Sequence, residues 1–476
     1  MTDNIEQNLI NLFEDWCGDK AIDINLLPQS GSYRMYYRIS NTKNTAIAAY
    51  NNDRKENIAF LTFSKHFHKM GLSVPEVYKE NIDNNIYLVQ DLGDTTLFSY
   101  LTEAKKDGNF PDKLIQTYKD VINELPKFQI LASKNLNYKV CYPRSAFDKQ
   151  SMLWDLSYFK YYFLKLAKIP FDEQDLEDDF NRLTGYLLQV NCDFFLYRDF
   201  QSLNIMIYND KPYFIDFQGG RKGALHYDIA SLLFDSKADI PNDIRIYLLE
   251  HYIETVNKII PTNREDFIQY FYAYSLIRIM QAMGAYGFRG FYEKKKHFLE
   301  SIPYAINDLK HILKVIKLPI DISHLIDTLK KLIDSKKLKK YANKKILDNT
   351  LTIRINSFSY LKGIPISQTD NSGLFVFDCR AIHNPAKYDE FKHLTGKDKK
   401  LIDFFLKESD IDDFLNDVYS IIDLTIEKYQ EKRLTDLAIN FGCIGGKHRS
   451  VYCAESLSNH IKNKFNVNII LQHIEL

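Results

Sequence analysis

The stretch Phe195-Leu196-Tyr197-Arg198-Asp199-Phe200-Gln201-Ser202-Leu203-Asn204, with Ile215-Asp216-Phe217-Gln218 shortly after it, decides how this chain is read. Its layout is D-x-x-x-x-N, then a hairpin, then D. Residues 205–208 and 213–217 read as the two strands, joined through Asn209-Asp210-Lys211. Such a hairpin returns the chain, so that Asn204 at its start lies near Asp216 at its end. These residue types suit phosphoryl transfer, which needs metal ions bridging phosphates and a carboxylate that orients or deprotonates the accepting hydroxyl. Asp199 fits the role of base, and Asn204 and Asp216 supply hard oxygen ligands of the kind Mg²⁺ prefers. The competing reading is an ordinary polar loop whose Asp caps a helix.

On the N-terminal side, Ile5, Leu9, Phe13 and Trp16 recur at helical spacing before Gly18. Residues 33–40, 45–50 and 86–90 read as strands, and Phe60, Phe63, Phe67 and Met70 mark one face of an intervening helix. This order predicts a small sheet with one helix packed on it. From Leu114 the pattern is predominantly helical, with helices near 151–166, 243–258, 265–287 and 302–315, broken only by the β-rich island that holds the opening motif. Between 321 and 345, Leu325, Ile326, Leu329, Leu332 and Ile333 are helically spaced among many lysines, from Lys330 to Lys345. That segment reads as a basic linker helix, with a phosphate or RNA contact surface as the alternative. A new αβ pattern begins at Leu351, Ile353 and Ile355.

Composition bounds the rest. The 476 residues exceed one ordinary core and predict two unequal domains. Hydrophobic residues at 45% and charged residues at 26% exclude a disordered or fibrous chain. Lys+Arg and Asp+Glu both total 62, so any attraction to nucleic acid has to come from a local patch. The six cysteines are scattered without zinc-ligand spacing. With no basic leader and no long apolar run, the expected location is the cytoplasm, away from membranes.

The segment from Tyr197 through Asp199, Asn204 and Asp216-Phe217-Gln218 resembles the aminoglycoside phosphotransferase and choline kinase superfamily, which is related to protein kinases. The resemblance implies ATP and Mg²⁺ as cofactors, a structural role for Arg198, and a buried brace at Asp228 in Tyr227-Asp228-Ile229-Ala230. It also implies an adenine-facing hinge at Gln90-Asp91-Leu92. Within the superfamily, the segment from Ser30-Gly31-Ser32-Tyr33-Arg34 to Arg38 is most similar to the N-acetylmuramate/N-acetylglucosamine anomeric kinases, which places Ser30, Gly31, Ser32 and Tyr33 at the ATP phosphates. A turn of small residues can cradle phosphate on its backbone N–H groups; a plain hairpin turn is the competing reading. Asp155 falls where those sugar kinases carry a substrate-side helix. The sequence departs from the family at the third strand, where Ala46-Ile47-Ala48-Ala49-Tyr50 lacks the expected lysine. Arg54 and Lys55 are the nearby cations, and Glu56 stands where the ion-pair partner is expected.

Near the C-terminus an apolar run, 434–441, leads into Gly442-Cys443-Ile444-Gly445-Gly446-Lys447-His448-Arg449-Ser450 and then a helix. Strand, glycine loop and helix start together make an anion site, because the first N–H groups of a helix lack partners and its dipole is positive there. Cys443, Gly445, Gly446, Lys447, His448, Arg449 and Ser450 are the expected phosphate-binding set. With Asp378, Arg380, His383-Asn384-Pro385 and 394–398, these residues closely resemble the C-terminal domain of RapZ, the RNase adapter protein. That resemblance implies a phosphosugar ligand and, for some members, RNA. Cys443 six residues before Arg449 also fits a cysteine-phosphatase loop.

The expected architecture is therefore an α+β, protein-kinase-like bilobal domain over 1–315 (lobes 1–92 and 93–315), a basic linker helix over 316–348, and a separate α/β domain of RapZ C-terminal type over 349–476. The expected activity is transfer of phosphate from ATP to a small-molecule hydroxyl, that of an amino sugar such as N-acetylmuramate or N-acetylglucosamine, coupled to phosphosugar binding. The alternatives are a non-catalytic nucleotide or phosphosugar sensor, an RNA-binding adapter, and a C-terminal cysteine phosphatase.

Overall fold

In the computed structural model, described for all residues except 1, 29–33, 106–109, 343–350, 366–372 and 432–433, the chain divides into two compact units. The first comprises Met1–Tyr292 and Phe298–Tyr341, and the second Glu293–His297 and Ala342–Leu476.

The first unit opens with helix α1 (Thr2–Cys17) and then strands β1 (Asp23–Leu26), β2 (Met35–Ser40) and β3 (Thr45–Tyr50). Helix α2 (Arg54–Lys69) leads into β4 (Val77–Asn81) and β5 (Ile86–Gln90). The five strands form one antiparallel sheet in the order β1-β2-β3-β5-β4. Strand alternation gives β3 two apolar faces. Ala46 and Ala48 meet Leu9 and Phe13 of α1, and Ala49 joins Phe60, Phe63 and Phe67 of α2. The sheet thus carries a helix on each face, where the sequence reading expected one. Asp53 caps α2 by accepting from the N–H groups of Lys55 and Glu56.

Helices α3 (Leu97–Ala104), α4 (Asp112–Pro126), α5 (Lys149–Phe159) and α6 (Glu173–Leu187) begin the second lobe. Strand β6 (Phe194–Leu196) pairs antiparallel with β9 (Arg221–Gly223), enclosing the hairpin β7 (Ile205–Tyr208) and β8 (Lys211–Phe214). The hairpin turn is two residues long: Asn209 and Asp210 have φ of 50° and 57°, the left-handed pair of a type I′ turn. The second strand accordingly starts at Lys211 and ends before Ile215, ahead of the expected 213–217. Helices α7 (His226–Leu233), α8 (Asn242–Asn257), α9 (Arg264–Tyr286), α10 (Lys296–Leu299) and α11 (Ile302–Val315) follow.

The basic stretch expected to link two domains forms α12 (Ser323–Asp334) and α13 (Lys336–Ala342). Leu325, Leu329 and Leu332 are fully buried in the core of the first unit. The Leu325 N–H donates to the buried Asp179 carboxylate of α6 at 2.7 Å. Lys330, Lys331, Lys336, Lys337 and Lys339 are exposed, and residues through Tyr341 belong with the first unit.

The second unit is a four-stranded, wholly parallel sheet of β10 (Thr352–Ser359), β11 (Gly373–Asp378), β12 (Asp436–Cys443) and β13 (Asn468–His473), in the order β11-β12-β10-β13. Helices α14 (Lys399–Glu408), α15 (Ile411–Glu431) and α16 (Arg449–Lys464) supply the crossovers and share a core with Ile353, Ile355, Leu437, Ile439 and Phe441. All four strands end at one edge, which is where such sheets present their loops.

His226, at the start of α7, is clasped against α9 with ring centroids 4.1 Å from Phe267 and 5.4 Å from Tyr274. Burial holds its imidazole down to about 3 from an ordinary 6.5. A base whose pKa is depressed by folding contributes stability above its unfolded pKa, and that stability is lost as pH falls toward the folded value. Thermal melts between pH 7 and 4 are therefore expected to show a steeper loss of Tm for the wild type than for His226→Phe; parallel curves would disprove this account.

Candidate functional site

The opening motif converges on one point. Leu196 ends β6, and the loop that follows is fixed by Asp228 of α7, which is buried and accepts from the N–H of Tyr197 (2.8 Å) and of Arg198 (3.0 Å). Gln129 donates its amide to the same carboxylate at 2.9 Å. Burial pushes the Asp228 carboxyl up to about 7, against the three hydrogen bonds that favour its charged form. The brace is needed because Arg198 has φ of 83°, a left-handed conformation that costs a non-glycine residue ~1–3 kcal/mol. The Arg198 guanidinium grips Asp155 of α5 in two bonds (2.8 and 2.7 Å) and donates to the Tyr227 hydroxyl (2.8 Å). Asp155, expected on the substrate side, is thus the anchor of Arg198.

Asn204 and Asp216 meet across the base of the hairpin. The Asn204 amide donates to the Asp199 carbonyl (2.9 Å) and to Oδ2 of Asp216 (3.2 Å). With its nitrogen so used, Asn204 presents Oδ1 as an acceptor. Its carbonyl receives the Ile215 N–H at 3.1 Å, and the Tyr197 hydroxyl donates to the Ile215 carbonyl at 2.6 Å. Asp216, itself left-handed with φ of 67°, accepts from the Gln218 amide at 2.6 Å. Burial and the neighbouring Asp199 raise its pKa, while Gln218 and Arg34 oppose them. Two carboxylates crowding one another beside an amide oxygen form a donor set that a divalent cation relieves. Among the described residues no group of three or more His, Cys, Asp or Glu side chains could hold a metal ion.

Phe217 connects this loop to the first lobe. Its ring stacks on Phe60 of α2 at 5.3 Å and 6° and meets Phe67 edge-on at 5.3 Å. On the sheet side, Arg34 just before β2 is buried, donates to the Tyr36 hydroxyl (2.9 Å), and lies 3.2 Å from the Glu56 carboxylate. Asn51 donates to that same Glu56 at 2.6 Å. Of the cations expected to replace the missing lysine, Arg54 bonds Ile82 and Asp83, and Lys55 is exposed. In the hinge, the Asp91 carboxylate is taken up by Arg38 (2.7 and 3.1 Å), Thr45 (2.9 Å) and the Gly93 N–H (3.0 Å). The Gln90 N–H donates to the Glu76 carbonyl at 2.9 Å. Ser30, Gly31, Ser32 and Tyr33 lie outside the described residues.

In the second unit the loop after β12 only partly matches expectation. Gly445 and Lys447 are exposed and His448 is half-buried at the start of α16, but Arg449 is 3% exposed and donates to the carbonyls of Arg380 (3.0 Å) and Ile382 (2.8 Å). Cys443 is 2% exposed, with its sulfur 3.2 Å from the Ser450 hydroxyl, and Ser450 is itself buried. A phosphatase loop needs a reachable thiolate and an arginine aimed at the phosphate; Cys443 and Arg449 provide neither. The helical turn that starts at Arg449 points its side chain inward, which spacing alone does not reveal. Gly446, with φ of 69°, packs so close to the end of β10 that a Cβ would sit 2.9 Å from the Ser359 nitrogen.

Residues 351–476 match the family model of the RapZ C-terminal domain. Curated relatives include a nucleotide-binding protein of Fervidobacterium nodosum, 34% identical over 27% of this chain and 44% of its own length. Another, from Thermotoga neapolitana, is 30% identical over 36% of this chain and 58% of its own length. The chain spans about half the length of the curated relatives it matches. Among solved structures, a choline kinase from Streptococcus pneumoniae aligns at 13% identity and TM-score 0.44, over 65% of this chain and 99% of that one. An ADP-bound aminoglycoside phosphotransferase aligns at 14% identity and TM-score 0.38, over 71% of this chain and 98% of that one. No helix among the described residues is long and apolar enough to cross a membrane.

Asp228→Asn replaces one acceptor oxygen by a donor that faces other donors. The expected loss, read from urea unfolding, is about 2 kcal/mol or more; an unchanged midpoint would show that Asp228 is not the brace.

Proposed function

We propose that the first unit is a Mg²⁺- and ATP-dependent phosphotransferase acting on a small-molecule hydroxyl. The observation that carries this reading is that the Asn204 amide ties the backbone of Asp199 to the Asp216 carboxylate, while Asp228 holds the backbone just before Asp199. Mg²⁺ would be held by Asn204 Oδ1 and the Asp216 carboxylate, and when bound it supplies positive charge to the transferring phosphate. Asp199, half-buried and beside that pair, orients the acceptor hydroxyl and takes its proton. Asp228 and the Arg198–Asp155 pair fix where Asp199 points, and backbone at Gln90 and Leu92 faces the adenine. Little covalent work falls to the protein, so positional accuracy of this kind is its main contribution.

The second unit and the resemblance to anomeric sugar kinases support an amino-sugar reading of the substrate. Exposed Gly445 and Lys447, at the start of a helix of 16 residues, form an anion-binding surface suited to a phosphosugar. An amino sugar is accordingly the acceptor, and a phosphosugar the ligand of the second unit.

Purified protein with ATP, Mg²⁺ and a panel of amino sugars, aminoglycosides and choline is expected to release ADP only with an amino sugar. Asp199→Asn is expected to lower the rate about 100-fold or more. Absence of acceptor-dependent ADP across the panel would refute catalysis and favour a nucleotide sensor. Lys447→Ala is expected to weaken glucosamine 6-phosphate binding in titration calorimetry without changing ADP release; equal binding by both proteins would remove the loop from the site.

A further inference from the structure

A cation on the sheet side strengthens a site that holds nucleotide phosphates, and β3 has none: its residues are Thr45, Ala46, Ile47, Ala48, Ala49 and Tyr50. The neighbouring strand does. In the β2–β3 register Tyr36 lies opposite Ala49 and Met35 opposite Tyr50, so Arg34 continues the face that carries Tyr36 and Ala49. That face packs against α2, because Ala49 and Tyr36 both join the core formed with Phe60 and Phe63. From there the guanidinium reaches Glu56 in the first turn of α2 at 3.2 Å, while Asn51 fixes the same carboxylate. Its centre stands 5.9 Å from the rings of both Tyr36 and Phe60, which close it in from the sides.

Arg34 is 4% exposed, and burying a guanidinium costs several kcal/mol unless the charge is used. Its partner Glu56 is less buried, with 30% of its side chain exposed. A brace for α2 alone requires no charge here, since Asp53 already caps the helix and Asn51 bonds Asn57 and Glu56. What lies beyond it is Phe60, whose ring, 5.9 Å from the guanidinium, stacks on Phe217, the residue after Asp216, at 5.3 Å. Arg34 thus pairs with the helix carboxylate Glu56 and packs on the ring that supports the loop of the proposed metal ligand.

We propose that Arg34 supplies the phosphate-binding positive charge absent from β3, delivered from the adjacent strand and held by Glu56. This rests on the phosphotransferase reading and adds to it the residue that receives the nucleotide phosphates. Glu56 is a positioning residue, acting through Arg34. Arginine's planar fork suits a diphosphate better than an ammonium does, so Arg34→Lys is expected to be an incomplete substitute.

The test is titration calorimetry with Mg²⁺, comparing ADP with adenosine for wild type, Arg34→Met, Arg34→Lys and Glu56→Gln. Arg34→Met is expected to weaken ADP binding roughly tenfold or more while leaving adenosine binding unchanged, because only the phosphates lose a charged partner. Arg34→Lys should recover part of the ADP affinity, and Glu56→Gln should fall between wild type and Arg34→Met. Unchanged ADP affinity in Arg34→Met, or an equal loss for ADP and adenosine, would overturn the assignment and leave the phosphotransferase reading standing. Wild-type protein that binds neither ligand would overturn both.

Discussion

The candidate site depends on one buried carboxylate. Asp228 takes the N–H groups of two consecutive residues, Tyr197 and Arg198, and thereby holds the chain where it passes through a left-handed residue. Without an acceptor there, two backbone donors would be buried unpaired, each costing ~1–3 kcal/mol. The same fixed backbone carries Arg198 to its partner Asp155. Gln129 completes the carboxylate's shell and also accepts from the Tyr252 hydroxyl, so helices α7 and α8 and the turn after α4 all bear on one loop.

A second constraint is the distribution of charge around Asp216. Burial and the Asp199 charge raise the Asp216 carboxyl, Gln218 and Arg34 oppose them, and the balance leaves it raised. Phe217 links this electrostatic arrangement to mechanics, because its ring is packed against Phe60 and Phe67 of the helix that carries Glu56. A shift of α2 would therefore move Glu56, Arg34 and the residue next to Asp216 together. The two lobes meet through packed aromatic rings, and close-packed interiors transmit strain.

Local spacing made part of this legible in the sequence. Asp199, Asn204 and Asp216 are joined by a short hairpin, so their approach follows from the turn, and only the ends of the second strand were misplaced, because the Asn209–Asp210 turn is tighter than three residues. Pairs distant in sequence were not legible. Nothing in the residues around Asp155 announces a partner 43 positions away at Arg198, or links Gln129 to Asp228 99 positions on. β4 is polar and β1 short and mostly exposed, so neither shows strand periodicity. The lysines between 330 and 345 masked the buried leucines of α12, whose face makes it part of a core. Arg34 was visible only as one basic residue in an aromatic strand; its role depends on register with β3 and on a carboxylate 22 residues later.

The second unit shows why a motif's residues need not share a task. In Gly442–Ser450 the backbone sets the geometry: Gly446 adopts a left-handed φ against the end of β10, and an added side chain would collide with the Ser359 nitrogen. That contact holds the loop low at the strand ends and leaves Gly445 and Lys447 outermost. It also turns the next residues inward, where Arg449 ties down the carbonyls that follow β11 and Cys443 packs with the buried thiols Cys379 and Cys453. Affinity for an anion here would come from exposed backbone N–H groups and Lys447, while the arginine and cysteine maintain the shape that exposes them.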